Sequence, residues 1–236
     1  MDKFLIEIHA HTDESSNCGQ MPAAQAVDLY HSLGYSAIMF TDHLHTYSFK
    51  KLLKEKPDAS WDDKIDHLLE GYKNALKQAE KYEGFKVYLG CELRFIENDN
   101  DYLVFGLSED KLRQMKDIIE YETEEGLPIV KNLGCTVIQA HPFRDNMMIV
   151  EPGLVDGIEI HNGHPGHDSR NDIALMWADK FDYKIRTSGS DFHGKFVPTS
   201  GIYTDVIPEN EEELQKIILN GDFTMKLDLF KEKLKV

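Results

Sequence analysis

The chain has 236 residues, of which 41% are apolar and 10% aromatic, a composition that suits one globular domain with a full core and excludes disorder. Its formal net charge of −16 repels long duplex nucleic acid, and no Lys/Arg cluster with interleaved aromatics offsets that field. No apolar run approaches the ~20 residues that span a bilayer, and Met1-Asp2-Lys3 leads into a short segment with an internal acid, Glu7, unlike a signal peptide; a cytoplasmic protein is expected.

In chain order, the first strand is predicted over residues 4–8 and runs into His9 and His11. A helix over 23–33 ends at Gly34, and a second strand over 37–41 runs into Asp42 and His43. The longest helical pattern, 61–82, carries apolar residues at spacings of three and four, including Ile65, Leu68, Leu69, Tyr72, Leu76 and Ala79. Strands over 86–90 and 102–105 follow, the first running into Glu92, and then helices over 109–120 and 126–132. The strand over 136–140 meets His141, that over 157–160 meets His161, a helix covers 168–180, and the strand over 185–188 leads to Asp191 and His193. A strand over 202–204 and a helix over 210–220 complete the pattern.

This alternation reads as βαβ units around a parallel sheet, with no linker or repeat, so residues 1–236 form one domain. A closed barrel and an open doubly wound sheet both satisfy it. Six strands that each end in a histidine or a carboxylate, all on the face where parallel α/β folds build their sites, suit a ring better than a row. The expected fold is α/β, a single barrel with a metal site at the C-terminal ends of the strands.

Five constellations carry chemistry. In His9-Ala10-His11, residues two apart in extended chain point the same way, so both imidazoles can reach one ion. In Thr41-Asp42-His43, Asp42 is expected to hold an imidazole while His43 ligates or meets substrate. In Gly90-Cys91-Glu92, the two carboxylate oxygens can bridge two ions, with Arg94 either facing a phosphate in the same pocket or forming a salt bridge. In Ala140-His141-Pro142-Phe143-Arg144, the proline fixes the exit from the strand and Arg144 offers a planar fork to a phosphoryl group. Gly189-Ser190-Asp191-Phe192-His193-Gly194 is the most specific, since small residues around Asp191 and His193 let backbone approach an ion. The stretch His161 to His167 is equally compatible with a substrate-facing loop and plain surface; His31, His45 and His67 have ordinary structural readings. Cys91 and Cys135 end apolar runs as small hydrophobes, and Cys18 lies in a polar loop with nothing placed to activate it.

The ordered set HxH, TDH, GxE, AHPxR and GSDxH resembles the PHP superfamily of polymerase and histidinol phosphatase domains, from His9 to His193. The resemblance implies a distorted (β/α)7 barrel, two or three Zn, Mn or Fe ions, and phosphoesterase activity. By that resemblance His9, His11, Glu92 and Asp191 hold a first ion, Glu92 with His141 bridges to a second, and His43 with His193 forms part of a third. The chain departs from the family pattern at Asn17, where many members place a histidine or aspartate, and at Asn100-Asp101-Tyr102, where many place a histidine.

The expected function is hydrolysis of a small phosphomonoester or nucleotide-derived substrate by metal-activated water, with Arg144 and Arg94 on the phosphate and His193 or His43 protonating the leaving oxygen. The rivals are an amidohydrolase-type barrel cutting C–N bonds and a metal-binding domain without catalysis.

Overall fold

The computed structural model describes residues 3–227. The eight expected strands form close to where the apolar runs place them: β1 (Phe4–Ala10), β2 (Ala37–Phe40), β4 (Lys86–Leu89), β6 (Tyr102–Phe105), β7 (Thr136–Gln139), β8 (Gly157–Asn162), β9 (Ile185–Gly189) and β10 (Gly201–Thr204). Three short strands were not expected, namely β3 (His43–Leu44), β5 (Cys91–Leu93) and β11 (Phe223–Lys226). The helices are α1 (Ala23–Ser32), α2 (Lys50–Glu55), α3 (Trp61–Ala79), α4 (Glu109–Gln114), α5 (Thr123–Asn132), α6 (Asn171–Lys180) and α7 (Glu211–Asn220). The helix expected over 109–120 stops at Gln114, where Met115 leaves helical geometry at ψ 39°; Asp117 is left-handed at φ 54°, and only a 3-10 turn, Ile118–Glu120, follows. Among the described residues, no helix is long and apolar enough to cross a membrane.

The strands make two sheets, β11-β10-β1-β2-β4 and β3-β5-β6-β7-β8-β9. This differs from the expected single ring of parallel strands. β5, β6 and β7 pair antiparallel, and β10 pairs antiparallel with both β1 and β11. No helix separates β5 from β6, so the chain turns straight back on itself instead of crossing over. The chain nevertheless joins the two sheets at two seams. β2 passes through Thr41-Asp42 into β3, and β4 passes through Gly90 into β5. At the other end Ala10 bridges Phe192 beyond β9, with His11 N–H bonded to Phe192 O at 2.9 Å.

Two irregularities aim the polar residues. Ile6 and Ile8 of β1 lie in the interior cluster with Met39, Phe105, Ile138 and Ile202, whereas Ala10 packs on the α1 side with Val27 and Tyr30. The register shift between Glu7 and Ala10 makes that change of face, as bulges beside functional sites do. A second shift lies between Glu159 and His161 in β8, where Ile158 and Ile160 face the helix-covered cluster. Helix α3 starts with a capping box between Ser60 and Asp63 and presents Gly71 to the turn after β1, where an added Cβ would meet Thr12 Oγ1 at 2.2 Å.

Candidate metal centre

Glu92 stands at the middle of the polar cluster, fully buried. Its Oε1 lies 2.9 Å from His141 Nε2 and 3.3 Å from His9 Nε2. Its Oε2 lies 3.0 Å from His43 Nδ1 and 3.3 Å from His11 Nε2. Asp191 faces it across the same gap, with Oδ1 3.4 Å from His9 Nε2 and 3.3 Å from His11 Nε2. Its Oδ2 accepts a hydrogen bond from Arg144 Nη2 at 2.6 Å. His9, His11, Glu92, His141 and Asp191 are sealed from water, while the side chains of His43, Arg144 and His193 are 13%, 14% and 15% exposed and form the open side.

This packing leaves buried polar atoms without hydrogen bonds: His9 Nε2, both ring nitrogens of His11, His43 Nδ1 and Glu92 Oε2. Such orphans are costly in a protein interior unless something else satisfies them. A tetrahedral ion with nitrogen and oxygen ligands at about 2.0–2.2 Å separates neighbouring donor atoms by about 3.3–3.6 Å. Asp191 Oδ1 meets that spacing with both His9 and His11, at 3.4 and 3.3 Å, while Glu92 reaches His9 through Oε1 and His11 through Oε2, each at 3.3 Å. The donor set therefore fits a divalent cation in its chemistry. Among the described residues, three groups bring one ligand atom from each member within 4.8 Å of the others: His9-His11-Glu92-Asp191, His11-His43-His193 and His43-Glu92-Asp101.

The backbone is bent to make this arrangement. His141 and Asp191 have φ of 26° and 50°, a region non-glycine residues rarely occupy and one that clusters at functional sites. Electrostatics hold the cluster together. Burial opposes charge on Glu92 and Asp191, yet His9 and His43 hold the first carboxyl, and His9, His11 and Arg144 the second, well below the usual carboxylate range. Burial likewise opposes charge on His9 and His43, but Glu159, Asp191 and Glu92 lift the first, and Glu92 the second, well above the ordinary imidazole value.

A supporting layer came from residues that the motif spacing did not single out. Glu159, midway along β8, takes His9 Nδ1 at 2.9 Å on Oε1, and His141 N–H at 2.9 Å and Asn162 Nδ2 at 3.0 Å on Oε2. Glu7 accepts the backbone N–H groups of His9 and Ser190, each at 3.0 Å. The only sequence signal for either was an acid inside an apolar strand.

Several expectations change. Asp42 holds no imidazole; it accepts Thr12 N–H, Thr12 Oγ1 and Ser16 Oγ at 2.7, 2.8 and 2.7 Å, so it shapes the turn after β1. Arg94 is spent on carboxylates, with Nε and Nη2 on Asp101 at 2.7 and 2.6 Å and Nη1 on Asp99 at 3.2 Å. The salt-bridge alternative describes its contacts in this structure. Asn17 turns away to the Tyr47 carbonyl. Cys18, read from the sequence as having nothing placed to activate it, lies near two imidazoles: burial raises its thiol, but the neighbouring His193 and His43 outweigh that and bring it down to about 5. His161 is held by the Ser188 and Ser200 hydroxyls. His164 faces the site, its ring 5.3 Å from that of His193, and burial keeps it neutral with a value of about 4. His167 is exposed behind it. His31 stacks on Tyr82, and His67 lies 3.7 Å from Glu70, both outside the cluster.

The model of the PHP domain matches residues 7–219. The chain belongs to the PHP domain family. Solved structures share its fold at low identity. A two-domain protein from Bacteroides vulgatus, containing a predicted PHP-like metal-dependent phosphoesterase, is 17% identical with a TM-score of 0.66, over 96% of this chain and 65% of that one. An amidohydrolase from Chromobacterium violaceum with bound sulfate is 16% identical, TM-score 0.52, over 94% and 98%. A lesion-specific endonuclease from Pyrococcus furiosus is 18% identical, TM-score 0.56, over 95% and 58%. This PHP chain thus spans less than two thirds of the Bacteroides and Pyrococcus proteins. No curated protein matches it by sequence.

Proposed function

We propose that this PHP domain is a metal-dependent phosphoesterase acting on a small phosphomonoester or nucleotide-derived substrate. The observation that carries the reading is the juxtaposition of Arg144 with Asp191 at 2.6 Å, which sets a guanidinium beside a donor cluster spaced for cations. In this reading His9, His11, Glu92 and Asp191 hold a first ion, Glu92 and His141 a second, and His43 and His193 contribute to a third; the ions are Zn, Mn or Fe. Such ions would supply Lewis acidity and an activated water at neutral pH. The two sheets are read as one distorted (β/α)7 barrel, joined at the Gly90 and Ala10–Phe192 seams.

The chain's own residues supply the rest. Glu159 fixes the His9 ring, since a carboxylate can only accept and so keeps the proton on Nδ1 with Nε2 turned inward. Arg144, held by Asn162 Oδ1 at 2.9 Å as well as by Asp191, grips non-bridging phosphoryl oxygens. His43 and His193, on the open side, serve as ligands or protonate the leaving oxygen.

The rival reading is amide hydrolysis, to which the fold likeness with the Chromobacterium amidohydrolase lends support. Arg144 favours an anionic substrate instead. The net charge of −16 counts against long DNA, although an endonuclease shares the fold. The test is a panel of phosphomonoesters, nucleotides, duplex DNA and amides with added Mn²⁺ or Zn²⁺. Turnover of small phosphate esters supports the proposal. Turnover of amides alone, of DNA alone, or of nothing in the panel overturns it.

A further inference from the structure

We propose that the segment Ser169-Arg170-Asn171, which leads into α6, is the positioning device for Arg144, and that Arg170 sets the affinity of the site for a phosphate group without touching it. The inference rests on the phosphoesterase reading above, in which Arg144 grips phosphoryl oxygens, and adds residues that none of the five constellations contained.

Three consecutive side chains converge on Arg144. Ser169 Oγ accepts Arg144 Nη2 at 3.3 Å. Asn171 clasps the end of β8, its Oδ1 accepting Asn162 N–H at 3.0 Å and its Nδ2 donating to Asn162 O at 3.1 Å. That clasp fixes the residue whose own Oδ1 accepts Arg144 Nη2 at 2.9 Å. Between the two, Arg170 reaches across to the loop after β7, where its Nη1 donates to Phe143 O at 2.9 Å and its Nη2 to the Asp145 carboxylate. Phe143 and Asp145 are the chain neighbours of Arg144, so one guanidinium anchors the backbone on both sides of the other. Arg144 Nη2 is committed to Asn162, Ser169 and Asp191. Arg144 Nε is buried with no hydrogen bond, a donor left for a ligand.

The backbone supplies an independent observation. Arg170 has φ 47° and ψ 51°, the left-handed region that non-glycine residues rarely occupy and that costs energy to hold. Its N–H donates to Asp168 Oδ1 at 3.1 Å, which steadies the turn, but glycine would adopt the same backbone without strain. A position that suits glycine and carries arginine points to a use for the side chain. Stability is a poor account of that use, because the Arg170 and Asp145 side chains are 41% and 78% exposed and exposed ion pairs add little. Orientation is the better account. Arg144 works through a long, rotatable side chain, and fixing both its backbone and its Nη2 spares the ordering cost that binding an anion would otherwise carry.

Inorganic phosphate, the product common to all phosphomonoesters, is the probe. Its affinity for the Mn²⁺-loaded full chain is measured by calorimetric titration in the unmodified protein, Arg170→Gly, Arg144→Ala and the double variant. Glycine removes the two anchors while easing the backbone, so Tm and metal content should stay near those of the unmodified chain. Arg170→Gly should weaken phosphate binding roughly tenfold, inside the ~100-fold that a misplacement of ~1 Å can cost. Arg144→Ala should weaken it at least as far. In the double variant the change at Arg170 should add nothing, because the guanidinium it positions is gone. A loss through the missing charge of Arg170, or through a general loosening of the loop, would instead appear in both backgrounds. Asp145→Ala is a second arm at an exposed residue and serves even if Arg170→Gly does not fold. Removing that acid would by itself tighten binding of an anion, so weaker binding reports the lost anchor. Phosphate affinity unchanged in Arg170→Gly, a further loss in the double variant, or tighter binding in Asp145→Ala overturns the inference, and a weakened Arg144→Ala then leaves the phosphoesterase reading standing. Unchanged affinity in Arg144→Ala, or no phosphate binding at all, overturns both.

Discussion

Glu159 Oε1 lies 2.9 Å from His9 Nδ1, and both groups are wholly buried. The pairing fixes the ring so that His9 Nε2 faces Glu92 and Asp191. Glu159→Gln keeps the shape but cannot accept on both sides, because one oxygen becomes a donor facing His9 or His141. The expected outcome is a cation affinity about 10- to 100-fold weaker with the fold retained, measured by chelator competition and circular dichroism. Unchanged affinity would falsify the supporting role.

Cation removal should destabilise the protein in a pH-dependent way. Purified without chelator, the chain should carry stoichiometric metal by elemental analysis; a cation at 100 times its dissociation constant adds about 2.7 kcal/mol to the native state. His9, His11 and His43 have raised values in the cation-free cluster. Their contribution to the stability of the apo protein is complete below the ordinary imidazole value of about 6.5 and is lost as pH climbs through the raised values. Cations compete with those same protons. The gain in Tm on adding Zn²⁺ should therefore be larger at alkaline pH than at acidic pH, and an equal gain at both would contradict the cluster's electrostatics.

Arg144 bears on reaction class. Arg144→Lys keeps the charge near Asp191 but loses the fork, and should lower kcat/KM roughly ten- to hundredfold, or about 1.5–3 kcal/mol. Arg144→Ala also removes the charge and the 2.6 Å contact to Asp191; activity should fall at least as far, with metal content unchanged because arginine is not a cation ligand. Steady-state kinetics on the preferred phosphate ester checks both. Kinetics near those of the unmodified protein in Arg144→Ala would move amide hydrolysis ahead.

Gly71 tests how the turn after β1 is held. In a helix interior Gly→Ala ordinarily stabilises by about 1 kcal/mol. Here the new Cβ would meet Thr12 Oγ1 at 2.2 Å, and that hydroxyl is fixed by Asp42 at 2.8 Å. Overpacking at about 1–3 kcal/mol wins, so Gly71→Ala should unfold at lower denaturant than the unmodified chain. A higher midpoint would show that Thr12 moves aside.

Much of the molecule is legible in one dimension. The eight apolar runs became strands because alternation and β-branching act over a few residues, and the five motifs lie at or just past the ends of β1, β2, β4, β7 and β9, which puts their residues at one end of the fold. The GSDxH turn was the most specific of these because Gly194 takes a φ of 103° that few other residues tolerate and Gly189 packs so closely that a Cβ would meet His9 at 2.4 Å. What the chain order could not carry was pairing and aim. Antiparallel neighbours at β5, β6 and β7 follow from a turn with no crossover helix, and the short strands β3 and β5 exist only as continuations of β2 and β4 across a seam. The inward aim of His9 and Glu159 depends on two register shifts that no local pattern encodes. The partners of Arg94 and Asp42 were likewise decided by tertiary structure. A guanidinium or a carboxylate takes whichever complementary group packing brings within about 3 Å, and for Glu159 and His9 that group is 150 residues away along the chain.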